Sequence, residues 1–181
     1  MRHKSLLIIL FLYVLSSCNN NNRIKEEAKK LIGRDVVFPS HGVLYSCGSN
    51  MSIDSILHAK IKIVTYFDDL PCTSCGIKML RIWEKEIFRI DSEILYVPVV
   101  HSKRNIKKML DSLNYSSPIV YDSLGEFGKD NCLEDISTSN RTFLIGSENN
   151  ILLIGEPFKN DKLKALYKKQ INKMKIDYAA K

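Results

Sequence analysis

The sequence lacks three features that would each point to a class of protein. Its longest apolar run, Leu6–Leu15, has only about ten residues, too few to span a bilayer. The chain contains no tandem repeat. No nucleic-acid-binding motif accompanies its net charge of +7. These absences argue against a transmembrane helix bundle, a repeat protein and a nucleic-acid-binding protein.

Patterns that would hold a metal or haem are also missing. Cys72 and Cys75 form a Cys-x-x-Cys pair, but no second cysteine or histidine pair follows at zinc-finger spacing. Gly76 stands where attachment of a c-type haem would need histidine. We therefore expect neither a metal site nor another cofactor. Metal or catalytic use of His101 is a weaker alternative.

The Cys-x-x-Cys pair lies between a predicted strand and a predicted helix. Ile61–Phe67 is rich in β-branched and aromatic residues, which favour a strand. An acidic turn ending at Pro71 follows, and from Ile77 to Ile90 apolar residues recur at helical spacing. This pattern places Cys72 at a helix N-terminus and Cys75 one turn later.

A helix N-terminus suits a reactive cysteine because its dipole and unpaired N–H groups favour the thiolate. A second thiol three residues later can attack a mixed disulfide and release the partner. The sequence therefore favours a redox-active Cys72–Cys75 pair. A purely structural disulfide, or half of a metal site, stays open as an alternative.

The N-terminal segment is typical of a bacterial lipoprotein signal. Basic residues precede the short apolar run, and Leu15-Ser16-Ser17-Cys18 is similar to a lipobox. We expect 1–17 to be the signal peptide and Cys18 to carry the lipid. The alternatives are an ordinary signal peptide cut near Ser17 or an uncleaved anchor. The lipoprotein interpretation predicts a protein that is anchored to a membrane of the bacterial cell envelope and faces the periplasm.

The remaining chain is predicted to form one domain. Residues 18–30 are expected to be a lipidated tether and a short helix start, and residues 31–181 the folded domain. Cys47 and Cys132 either bond to each other or are small buried residues. The other predicted elements are a helix over Glu26–Ile32, short strands at Asp35–Phe38 and Gly42–Tyr45, a helix at Ser52–His58, a strand at Ile94–Val100, a helix from Ser102 to Leu113, a strand at Pro118–Tyr121, a helical turn at Asp122–Gly128, a hairpin of Arg141–Gly146 with Ile151–Gly155, and a basic helix over Lys162–Tyr178 with Leu163, Leu166, Tyr167, Ile171, Met174 and Tyr178 inward.

This order of strands, crossover helices and a final hairpin predicts an α/β fold with a mixed sheet. A family resemblance is carried by Val64–Phe67, Pro71–Cys75, the helix through Trp83, Thr142–Ile145 and Ile151–Gly155. In these segments the chain resembles the thioredoxin-like superfamily, and in particular the lipid-anchored TlpA-like proteins of Bacteroidetes. The resemblance implies a thioredoxin-like fold, a central mixed sheet flanked by helices, with an N-terminal extension.

The resemblance also implies roles for particular residues. Cys72 would be the attacking thiol and Cys75 the resolving thiol. Where the family has a cis-proline facing the disulfide, this chain has Ser139-Asn140-Arg141, so Asn140 or Arg141 is expected to face Cys72 and the substrate. Near the place of the acid that often assists the resolving cysteine, this chain has Tyr66.

The predicted function is an extracytoplasmic thiol–disulfide oxidoreductase. Its partners would be protein thiols and disulfides and a membrane redox partner, with no nucleic acid. The alternative is a thioredoxin-fold binding lipoprotein whose Cys72–Cys75 disulfide is only structural. A thiol peroxidase is a weaker hypothesis, because Asp69 stands where such sites place a threonine. Copper delivery through Cys72, Cys75 and His101 is also weaker.

Overall fold

The structure is a computed structural model that describes residues 22–45, 52–69, 73–102 and 117–180. The strands in these ranges are β1 (Val43–Tyr45), β2 (Lys62–Phe67), β3 (Leu95–His101), β4 (Ile119–Asp122), β5 (Thr142–Ile145) and β6 (Ile151–Ile154). The helices are α1 (22–31), α2 (Ile53–His58), α3 (Thr73–Phe88), α4 (Glu126–Asp130) and α5 (Asp161–Ala179), with a 3₁₀ turn at Thr138–Asn140.

The described strands form one mixed sheet in the order β1-β4-β3-β2-β5-β6. The central strand β2 runs parallel to β3 and antiparallel to β5. Strand β3 is parallel to β4, whereas β1 and β6 are antiparallel to their neighbours at the two edges. The prediction of a central mixed sheet flanked by helices is confirmed.

Helices cover both faces of the sheet, which is why every residue of β2 is buried. Side chains alternate along a strand, so Val64 and Tyr66 point to one face and Ile63 to the other. Val64 and Tyr66 belong to a core cluster with side chains of α1, α2 and α4. Ile63 belongs to a cluster with side chains of α3 and α5.

Two local predictions are wrong. Asp35–Phe38 is not a strand: Asp35 forms an isolated bridge to Asn150, while Val36 and Phe38 pack into the core. Leu166 was expected to point inward but is 52% exposed. The buried stripe of α5 instead runs through Tyr167, Ile171 and Met174, and Leu166 is rotated by about 100° from Tyr167.

The side chain of Cys132 is exposed and its thiol is free, so it is not a buried core residue. Cys18, Cys47 and Cys72 lie outside the described residues, as do the signal segment 1–17 and most of the helix expected after Ser102.

No described helix is both long enough and apolar enough to cross a membrane.

Candidate functional site

Cys75 lies in the first turn of α3, close to where the chain leaves β2. It is exposed to solvent. The first turn of α3 contains no acidic residue that would oppose a thiolate. Met79 and Trp83 follow Cys75 at intervals of four residues and therefore share its side of the helix.

A cavity of about 330 Å³ opens beside this side of α3. Its walls are mainly apolar, and the rings of Phe67 and Phe158 contact the ring of Trp83 edge to face. The centroid distances are 5.4 Å from Trp83 to Phe67 and 4.7 Å from Trp83 to Phe158. The cavity is lined by Thr65, Tyr66, Phe67, Asp68, Met79, Trp83, Thr138, Arg141, Glu156, Phe158 and Lys159.

Arg141 contributes positive charge to this cavity. Its Nε donates to the carbonyl of Ile136 at 2.9 Å, and its Nη1 lies 3.6 Å from the Asp68 carboxylate. Its guanidinium carbon lies 5.8 Å from the centre of the Tyr66 ring. These contacts hold Arg141 at the cavity, so of the two residues expected to face a substrate it is the one that lines this space.

Asn140 has a different position from the one expected. It is buried, and its side-chain amide donates to the carbonyl of Ile24 at 2.8 Å and to Glu27 Oε2 at 3.0 Å. The amide is therefore bonded to α1 and does not line the cavity. The turn places Arg141 at the cavity and directs the Asn140 side chain to the N-terminal helix.

Glu27 is a buried carboxylate that the sequence analysis did not single out. It accepts from Arg23 Nε at 2.8 Å, from both the backbone N–H and the hydroxyl of Ser137 at 3.0 Å, and from Asn140. Burial tends to raise the pKa of Glu27, but these hydrogen bonds outweigh that effect and lower its pKa to about 2. No local sequence signal links Glu27 to a turn 110 positions away.

A second buried carboxylate, Glu156, also lines the cavity. Its Oε2 atom lies 2.5 Å from Nζ of Lys159, whose side chain is largely exposed. Glu156 follows β6, between the predicted hairpin and the predicted C-terminal helix, and no motif marks it. The cavity therefore combines apolar walls with two ion pairs, one between Arg141 and Asp68 and one between Lys159 and Glu156.

Tyr66 separates the cavity from α4. Its ring packs on Phe127 at a centroid distance of 5.4 Å. Burial raises the pKa of Tyr66 above its usual range, and the nearby Asp68 and Asp122 carboxylates add to the effect. The phenol is therefore neutral at physiological pH, so Tyr66 brings no negative charge to the cavity that it lines.

His101 does not share a site with other metal-ligating side chains of the described residues. Its Nδ1 lies 2.8 Å from the carbonyl oxygen of Asp122. No group of three or more histidine, cysteine or acidic side chains that could hold a metal is present in the ranges that the structure describes.

No family model and no curated protein matches the chain. The solved structures that share its fold include AhpC of Enterococcus faecalis (TM-score 0.52, 17% identity, covering 78% of this chain and 93% of that chain) and a mutant of PrxQ from Xylella fastidiosa (TM-score 0.51, 17% identity, covering 77% and 96%). The fold is thioredoxin-like. The thioredoxin domain of a thiol-disulfide oxidoreductase from Bacteroides vulgatus also matches, with a TM-score of 0.49, 15% identity and coverage of 76% and 96%. At 17% identity, the likeness to AhpC and PrxQ establishes the fold alone and not the activity.

Proposed function

We propose that the protein is an extracytoplasmic thiol–disulfide oxidoreductase that uses Cys72 and Cys75 on protein disulfides. The observation that carries the proposal is the position of Cys75, exposed in the first turn of the helix that follows the central strand of a thioredoxin-like sheet. Cys72 directly precedes Thr73, the first residue of that helix. A pair at this position has the helix dipole available to stabilise a thiolate.

The exchange proceeds in two displacement steps. The Cys72 thiolate attacks one sulfur of the substrate disulfide, so that a mixed disulfide forms and the other substrate sulfur leaves as a thiolate. The Cys75 sulfur, after losing its proton, then attacks the Cys72 sulfur and releases the second substrate thiolate. The substrate gains two electrons and the Cys72–Cys75 pair becomes a disulfide. A membrane redox partner then restores the two thiols.

The cavity beside α3 supplies a place for the substrate, and Met79, one helical turn after Cys75, lines it. Its apolar wall of Met79, Trp83 and Phe158 suits an apolar side chain near the substrate cysteine. Arg141, on the turn before β5, can donate hydrogen bonds to carbonyl groups of the same peptide. Both features support a protein or peptide disulfide as the substrate class.

The location is part of the proposal and depends on Cys18. A lipidated Cys18 would hold the domain at a membrane of the cell envelope through the short tether before α1. Mass spectrometry of the membrane-bound protein is expected to find a mature chain that begins at lipidated Cys18. If the Cys18→Ala variant is processed and retained at the membrane like the wild type, the anchor is refuted.

The cysteine roles can be tested in an assay that follows reduction of insulin disulfides. We expect Cys72→Ser and Cys75→Ser to abolish the activity, because either change prevents a complete exchange cycle. Cys132→Ser is the matched control, since Cys132 is an exposed free thiol on another part of the surface. Full activity in Cys72→Ser would refute the oxidoreductase.

The reduction potential of the pair separates the proposal from the binding-module alternative. Exchanging pairs lie at about −270 to −120 mV, and structural bridges typically below about −300 mV. Titration against glutathione, read by alkylation and mass spectrometry, is expected to give a value in the exchange range. A bridge that resists reduction would instead favour a binding protein whose disulfide only stabilises the loop.

A further inference from the structure

The turn that carries Arg141 to the cavity is fixed by the N-terminal helix. The segment 137–140 leads into β5 and contains the 3₁₀ turn Thr138–Asn140. Within this turn the N–H groups of Asn140 and Arg141 donate to the carbonyls of Ser137 and Thr138, so backbone hydrogen bonds connect its two ends. Thr138 and Arg141 line the cavity, whereas Ser137 and Asn140 are bonded to α1.

Glu27 makes most of these bonds from α1. One carboxylate oxygen accepts from the Ser137 hydroxyl, and the other accepts from the Ser137 N–H and the Asn140 amide. Two further bonds join α1 to the turn: the Asn140 amide donates to the carbonyl of Ile24, and Arg23 Nη2 donates to the Ser137 hydroxyl at 3.4 Å. Glu27 thus binds both ends of the turn, and Arg23 is the cation that partners its charge.

The apolar attachment of α1 is separate from this polar attachment. Leu31, one helical turn after Glu27, is buried in the core cluster, and Ala28 packs against the same cluster. Loss of the Glu27 charge would therefore leave α1 docked. It would weaken the acceptor for the Ser137 N–H and the Asn140 amide, and groups left unsatisfied in a buried place move or find water.

We propose that Glu27 is a positioning residue for thiol–disulfide exchange, which sets Arg141 at the cavity by fixing the turn before β5. The proposal rests on the oxidoreductase function proposed above. It gives α1 a role in the reaction although none of its residues lines the cavity. Glu27 acts through the turn and is not expected to touch the substrate.

The test compares two reactions of the full chain. The first is reduction of a peptide disulfide, which needs the cavity, and the second is alkylation of the reduced Cys72–Cys75 pair by iodoacetamide, which needs only the thiols. We expect Glu27→Gln to lower kcat/KM for the peptide by about tenfold, because Arg141 is then displaced from the position in which it contacts the peptide. The alkylation rate is expected to stay within about twofold of the wild type, because the thiolate and its helix are untouched.

Two further variants separate positioning from a loss of stability. Ile56→Val removes a methylene from a fully buried residue of the same core cluster and is expected to lower the melting temperature without changing kcat/KM. Ser137→Ala removes one hydrogen bond to Glu27 and should lower kcat/KM less than Glu27→Gln. Combined with Glu27→Gln, it should add little, because both changes release the same turn.

Each outcome decides for or against the proposal. An unchanged kcat/KM in both Glu27→Gln and Ser137→Ala overturns the positioning role while the oxidoreductase stands. A parallel fall in peptide reduction and alkylation also overturns it, because that indicates a general disturbance of the thiols. A wild-type chain that reduces no peptide disulfide overturns both the function and the role of Glu27.

Discussion

At the scale of single residues, Gly128 decides where Tyr66 can lie. A Cβ atom at this position would be 2.6 Å from the Tyr66 hydroxyl oxygen and 3.1 Å from the ring carbon that bears it. Real side chains do not approach so closely, so Gly128 in α4 is required by the phenol that lines the cavity. The contact between Gly128 and Tyr66 thereby limits where this cavity-lining residue can lie.

We predict that Gly128→Ala destabilises the protein by about 1–3 kcal/mol, because the added methyl group overpacks the Tyr66 ring. Urea unfolding measures the loss. Gly146→Ala is the control, since its Cβ would meet its nearest neighbours at 3.4 Å or more. Adding Tyr66→Phe should recover part of the stability by removing the closest atom. Equal stability of Gly128→Ala and the wild type would contradict the packing argument.

The residues of the site differ in how far the sequence could predict them. Cys75 is marked by its own motif and by the strand and helix around it, so its place at the start of α3 follows from local pattern. No motif marks Glu27 or Glu156. The fold determines the bonds of Glu27 to Ser137 and Asn140. Glu156 pairs with the nearby Lys159, but its place at the cavity also depends on the fold. Asn140 and Arg141 were assigned together, but adjacent side chains point in different directions and only one of them reaches the cavity.

At the scale of elements, Lys62 ties α2 to the sheet. Its ammonium group donates to the carbonyls of Leu57 at 3.1 Å and Ala59 at 2.9 Å, where α2 ends, and to the carbonyl of Gly146 at 3.4 Å, just after β5. The side chain is fully buried. Burial lowers the pKa of Lys62 from its ordinary value of 10.5 to about 8.

This lowered pKa predicts a pH dependence of stability. Between about pH 8 and pH 10.5 the unfolded chain binds a proton at Lys62 that the folded chain has released, so the free energy of unfolding rises with pH. Other groups titrate in this range, so the measurement is the difference between the wild type and Lys62→Met in urea unfolding. From pH 8 to pH 10.5 we expect the free energy of unfolding of the wild type to increase relative to that of Lys62→Met. A constant difference would contradict the assigned pKa.

Elements with a strong period were predicted well, and irregular ones were not. The strand β2, the helix α3 and the β5–β6 hairpin lie where alternation, helical spacing and turn residues placed them. The pattern of Asp35–Phe38 predicts a strand wrongly, because apolar residues can pack into a core without joining a ladder. The prediction for Leu166 is wrong because α5 also has an apolar side chain on its outer face.

At the scale of the whole molecule, the two faces of the sheet are joined by the same strands. Alternate residues of β2 and β3 belong to the clusters on opposite faces, so neither cluster can form without the shared sheet. The sole tryptophan, Trp83, packs between Phe67 of β2 and Phe158 after β6. Its fluorescence therefore reports on the cavity, whereas circular dichroism reports on all helices.

We predict that urea unfolding followed by Trp83 fluorescence and by far-ultraviolet circular dichroism gives coincident curves, because the domain unfolds as one unit. Phe158→Leu should change the emission of the folded state by removing the ring in contact with Trp83. Its two curves should still coincide with each other. An earlier fluorescence transition would show that the cavity opens before the sheet is lost.

The order of the strands also governs when the chain can fold during synthesis. Strand β2 is bounded on one side by β5, and Lys62 must reach Gly146, 84 positions later in the sequence. Glu27 cannot form its hydrogen bonds to Ser137 until that residue, 110 positions later, has been synthesised. A nascent chain therefore cannot complete its central sheet or seat its N-terminal helix until most of it has left the ribosome, and contacts so distant in sequence make folding slow.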